Sequence, residues 1–203
     1  MYFQRLFSLY APLYPLVSHV FFKSRATQIE NINQFFSADK AETKKVLLVG
    51  GGDGLDIQFF TQTMDITYLD NAKGMFDKAQ HNFKNRENTH FVLADFNDYA
   101  LNVKSQFDAI CLHFCLASTH KPRLMMKGAC KLLKSGGVLS VMDVVISKQY
   151  FFSKTLNFVT KHTMFNIFND IERDFSEQND LTLVYKKPLV ESKFFNAYLY
   201  EKE

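Results

Sequence analysis

Tryptophan is absent from the 203 residues, cysteine occurs three times and proline four times. Cys111, Cys115 and Cys130 are too few and too unevenly spaced for a disulfide framework and fit a reducing compartment. Cys111 and Cys115 lie four positions apart, but no second pair or His-x-x-x-His follows, so no metal site is expected. The thiols read as small buried hydrophobes. An excess of one charge is missing as well. With 24 basic and 21 acidic residues the net charge is +3, and no basic stripe interleaved with aromatics appears, which excludes nucleic acid as the expected partner. No uncharged apolar run is long enough to span a bilayer, because Arg5, Pro12, Pro15 and His19 interrupt the N-terminal lead. That lead also lacks the charged start, unbroken apolar stretch and cleavage site of a signal peptide, so a cytoplasmic location is expected.

What is present is apolar and aromatic. Hydrophobic residues make up 47% and Phe alone numbers 22, a globular composition with enough chain for one sizeable core. Residues 1–40 read as an N-terminal helical lid or flap, with Ile29, Ile32, Phe35 and Phe36 at helical spacing, and 41–203 as the main unit. Two readings stand for the lead: a flap packed on the domain, or a peripheral membrane contact with Tyr10, Tyr14 and Phe21 at headgroup depth.

From Val46 strand and helix signals alternate. Val46–Val49, Ile66–Leu69, "THFVLAD", Phe107–Leu112 and Val138–Val144 read as strands; Leu55–Thr63, Lys73–Phe83 and Lys121–Leu133 read as helices. This order predicts an α/β fold: a Rossmann-like, doubly wound, mostly parallel seven-stranded sheet. In the tail, Phe152, Leu156 and Val159 fit a helix. "LTLVYKKPLVESKFFNAYLYE" then reads as two strands turning at Lys186–Pro188, a hairpin that brings the last strand in antiparallel.

Glycine is scarce too, yet four of the eight fall in "VLLVGGGDGLD", at Gly50, Gly51, Gly52 and Gly54 around Asp53. They sit where the first strand hands over to its helix, at the sheet edge that binds ligands in such folds. Bare backbone there can turn tightly and approach a ligand, and a following helix would aim its N–H groups at the same place. Asp70 closes the second strand, where a carboxylate can accept both hydroxyls of a ribose. Asp95 closes the third and precedes Phe96, an acid beside a ring that suits the edge and face of a purine.

Taken in order, these segments resemble the class I S-adenosylmethionine-dependent methyltransferases. "VLLVGGGDG" is similar to the family's first motif, "YLDNAKGMFDKA" to its Asp-x-Ser-x-x-Met-Leu-x-x-Ala pattern, and "FVLADF" to its adenine-contacting strand end. "FDAICLHFCL" and "ACKLLKSGGVLSVMD" match the fourth strand and the turn before the fifth, so the resemblance covers about Lys44–Asp143. It implies S-adenosyl-L-methionine as cofactor, with Gly50, Gly51, Gly52, Asp53 and Gly54 forming the loop beside methionine and ribose. It further implies Asp70 on the ribose, Asn71 and Met75 beside the adenosine, Asp95 and Phe96 at adenine, and His113 near the methionine end. One departure is Leu48, where the family commonly carries an acid that positions the cofactor's amino group.

Methyl transfer from a sulfonium needs alignment and exclusion of water above all. Where the acceptor must lose a proton, the candidate bases are His113 and His120 after the fourth strand, and Tyr14 if the lead folds over the site. The expected acceptor is a small, hydrophobic or lipid-linked molecule, and the expected state a monomer or homodimer. The lead resembles the entry segment of phospholipid N-methyltransferases and quinone C-methyltransferases, where a tyrosine-bearing helix closes over the cofactor. Two alternatives remain. "GGGDG" is also found in spermidine synthases, which transfer an aminopropyl group and use an acid after the fourth strand that this chain lacks. A catalytically inactive nucleoside-binding or interaction module is the other.

Overall fold

The computed structural model describes residues 21–37, 42–104, 106–144, 171–178, 180–189 and 195–203. The expected aromatic lead with Tyr10 and Tyr14, and the expected tail helix at Phe152–Val159, lie outside the described residues. The strands are β1 (Lys45–Val49), β2 (Asp65–Asp70), β3 (Thr89–Leu93), β4 (Phe107–His113), β5 (Leu133–Val144), β6 (Leu181–Pro188) and β7 (Phe195–Lys202). The helices are α1 (Phe22–Phe35), α2 (Lys73–Phe83), α3 (Phe96–Asn102), α4 (Pro122–Leu132) and α5 (Ile171–Ser176). They build one seven-stranded sheet in the order β3-β2-β1-β4-β5-β7-β6. β1 to β5 run parallel, and β7 enters antiparallel between β5 and β6. The doubly wound sheet with its antiparallel hairpin is the fold the sequence predicts.

Alternation along the strands sorts the core into two layers. Leu47 and Val49 of β1 join Ile110, Leu112, Leu139 and Val141 beneath α3, α4 and α5. Val46 and Leu48 face the other way, with Ile66, Tyr68, Cys111 and Val138, and meet Ile29 and Ile32 of α1. Both isoleucines are fully buried, so α1 belongs to the core.

Several local expectations are corrected. Leu55–Thr63 is not a helix but a five-residue 3-10 turn, Leu55–Phe59. Phe60 turns extended, at φ −73° and ψ 145°, and ends the turn, and distant side chains hold the carbonyls at that end: Asn33 donates to Phe59 O at 2.9 Å, and Arg86 donates to Phe60 O and Thr61 O at 3.2 and 2.7 Å. So short a turn carries no sizeable dipole, and the expected contribution of a helix end to ligand binding falls away. The hairpin turns after Pro188, not at Lys186–Pro188, because both lysines are still paired with β7. β5 starts at Leu133, five residues early, and a register shift opposite Phe107–Ala109 absorbs the glycine turn before Val138. Helix α3 was not anticipated; Asp95 caps it by accepting the Asn97 N–H at 2.8 Å.

Candidate functional site

β1 has β2 on one side and β4 on the other, so the strand order reverses there. A crevice opens at the carboxyl ends of these strands, the position at which open α/β sheets bind ligands. Of the sequence-predicted residues, Gly50 and Gly52 line it from the loop, and Asp70, Asn71 and Met75 from β2 and α2. Asp95 and Phe96 line it from the end of β3. These residues lie up to 46 positions apart in sequence and converge on one wall and floor.

The glycine loop divides its work. Gly50 and Gly52 take left-handed φ values of 61° and 59° and face the crevice. Gly51 faces the protein: a Cβ there would stand 2.5 Å from the Tyr68 ring. Asp53 turns inward and accepts the Leu55 N–H at 3.3 Å. Gly51, Asp53 and Gly54 are therefore loop-shaping residues that do not line the crevice.

Asp70 is the centre of the site. Its Oδ1 accepts the Ala72 N–H at 2.8 Å and its Oδ2 the Gly52 N–H at 3.1 Å, so one carboxylate ties the β2 end to the glycine loop. Tyr68 supports both, donating its hydroxyl to Gly52 O at 2.6 Å. Burial outweighs these hydrogen bonds and raises the Asp70 carboxyl to about 6. Asn71 donates to Asp95 Oδ2 at 3.4 Å, so the second and third strand ends are linked as well.

The candidate bases sit elsewhere. His113 is 4% exposed and does not line the crevice. Its Nδ1 lies 2.6 Å from Asp56 Oδ2 and its Nε2 2.8 Å from Ser140 Oγ, so neither nitrogen is open to a substrate. His120 lies exposed in the turn before α4, outside the crevice lining, and Tyr14 is outside the described residues. Among the described lining residues no imidazole is present. Cys115 does line it, 3.8 Å from Met125 Sδ, with burial and then the Asp143 and Asp70 charges pushing its thiol well up.

Sequence reasoning missed what surrounds His113. Arg25 Nη1 donates to Asp56 Oδ1 at 2.8 Å, and Gln28 donates to Ser140 Oγ at 2.9 Å. Burial would raise the Asp56 carboxyl, but Arg25 and then His113 overcome it and hold it well below the usual carboxylate range. Carboxylate, imidazole and hydroxyl follow one another as in a nucleophilic relay. Ser140 is fully buried in β5, however, and no substrate reaches it. The array instead bolts α1 to β4 and β5. It also bears on Leu48, which pairs with Cys111 two positions before His113 and is packed in the same layer. A buried carboxylate is present in that layer, but Asp56 supplies it. The signal available in sequence was an acid just after the glycine loop, flanked by the apolar Leu55 and Ile57.

Residues 46–137 match a family model described as a methyltransferase domain. Over those residues the chain is similar to methyltransferase domains. No curated protein matches the chain in sequence. Among solved structures, the chain is similar to a Galdieria sulphuraria protein proposed to be a sarcosine dimethylglycine methyltransferase. The TM-score is 0.72 at 11% identity, covering 89% of this chain and 86% of that one. The N-methyltransferase NodS of Bradyrhizobium japonicum WM9, in complex with S-adenosyl-L-homocysteine, aligns at TM-score 0.67 and 15% identity over 90% and 87%. A geranyl diphosphate C-methyltransferase of Streptomyces coelicolor A3(2) aligns at 0.66 and 10% over 86% and 78%. At these identities the likeness is one of fold.

Proposed function

We propose that the protein transfers the methyl group of S-adenosylmethionine to a small acceptor of apolar or lipid-like character. The observation that carries this reading is the convergence of Asp70, Asp95 and the bare backbone of Gly50 and Gly52 on one crevice. The donor set fits the group. The Asp70 carboxylate can accept ribosyl hydroxyls, Met75 and Phe96 offer apolar faces to a purine, and left-handed glycines leave room beside the β1 end. S-adenosylmethionine supplies an activated methyl carbon. The chain orients it through Asp70, Asn71 and Asp95, and excludes water with Phe96, Phe114 and Met125.

Where the acceptor must lose a proton, Tyr14 on the lead, outside the described residues, is the candidate base. NodS methylates nitrogen and the Streptomyces enzyme carbon, so the acceptor atom is open to either. An aminopropyl transfer is less favoured, since Phe114, an apolar ring, lines the crevice just after β4. The deciding experiment is calorimetric titration with S-adenosylhomocysteine: micromolar binding lost in Asp70→Ala supports the reading. Absence of binding by the unaltered chain leaves an inactive module.

A further inference from the structure

Phe114 follows β4 and takes φ 59°, alone among the described non-glycine residues in the left-handed region. A bulky side chain adopts that conformation only when its surroundings enforce it. Phe114 lines the crevice, and α1 with the residue before it holds its ring. The Arg25 guanidinium lies 5.0 Å over the ring centroid, and the Phe21 ring packs 4.7 Å away. Arg25 cannot drift, because Asp56 binds its Nη1 and His113 in turn binds Asp56. Gln28, one turn further along α1, donates to Ser140 Oγ and to Tyr198 O at 3.0 Å. The same helix thus anchors itself under the sheet edge and presses a strained wall residue into the crevice.

We propose that Arg25 is a positioning residue for the methyl donor: it fixes the Phe114 ring as a wall of the crevice, so that docking of α1 and occupation of the crevice reinforce each other. This rests on the reading of the crevice as the donor site. A cation held over the ring face favours one ring orientation, and by linkage whatever α1 does for the ligand, the ligand does for α1.

The test is titration of the full chain with S-adenosylhomocysteine in four forms: unaltered, Phe114→Leu, the pair Arg25→Gln with Asp56→Asn, and all three together. Changing the ion pair as a unit strands no buried charge. The pair is expected to weaken binding about tenfold in the unaltered background and less than about twofold beside Phe114→Leu, because its route to the ligand has already gone. Equal losses in both backgrounds, or none in either, overturn the proposal. Hydrogen exchange gives a reading that needs no folded variant: the amides of residues 22–35 are expected to slow when the unaltered chain binds. Binding without that slowing also overturns it. If the unaltered chain does not bind at all, the donor-site reading falls first and takes the proposal with it.

Discussion

At the residue scale, Asp70 and His113 show how burial assigns roles. Asp70 keeps its carboxyl on the crevice but pays for seclusion with a pKa raised from 3.8 to about 6. Between those values the folded chain holds a proton that the unfolded chain has released, so this group's contribution to stability falls as pH rises through the window. Ligand hydroxyls reverse the preference, because they donate to the ionised form. S-adenosylhomocysteine affinity is therefore expected to be flat above about pH 6.5 and to fall up to about tenfold per pH unit below 6. Calorimetry from pH 5 to 8 checks this, and Asn at position 70 should remove the slope together with most of the affinity. His113 is the converse case. Its two hydrogen bonds lie inside the core, so His113→Leu leaves Asp56 and Ser140 short of partners at a cost of about 2–4 kcal/mol. A melting temperature lowered by about 5–15 °C, with the pH profile of turnover unchanged in shape, is the expected outcome. A lost acidic limb would instead make His113 the base.

At the scale of elements, the glycine loop is held as much by its own protein as by any ligand. Gly51 packs under the Tyr68 ring, whose hydroxyl bonds the loop at Gly52. Gly51→Ala should displace that ring, lower stability by about 2–3 kcal/mol, and weaken S-adenosylhomocysteine binding more than tenfold. Paired denaturation and binding curves check it, and an unaltered affinity would show that the ring can give way without moving the loop. The helix expected after the loop is replaced by a 3-10 turn for a related reason. The chain turns extended at Phe60, where Asn33 and Arg86, residues distant in sequence, hold the carbonyls of 59–61 in a way no local propensity reveals. Strands β1 to β4 were legible because each is a short aliphatic run between polar joints. Helix α3 was not, since "FNDYALN" is short and carries little periodicity.

At the scale of the whole molecule, α1 closes one layer of the core and reaches the crevice through Phe114. We propose that the segment of residues 1–20, which lies outside the described residues, carries contact with an apolar acceptor or a lipid surface. In cosedimentation with anionic vesicles, the full chain is expected to pellet at least about threefold more than a chain starting at Phe21, on the scale of a weak interfacial anchor. Equal partitioning removes the lipid reading.

The order of the strands, the antiparallel hairpin, and the placing of Asp70, Asp95 and the glycines at one sheet edge follow from the chain itself. Hydrophobic period and the glycine and acid positions are local properties, and the winding rules for parallel sheets leave few ways to assemble them. The tertiary structure alone decided that His113 is a buried tie and that Arg25, Asp56 and Ser140 meet it. It also decided that Phe114 is forced into the crevice wall. Those outcomes depend on contacts between residues up to 89 positions apart, from Arg25 to Phe114, where burial changes what a histidine or a carboxylate can do and no pattern along the chain records it.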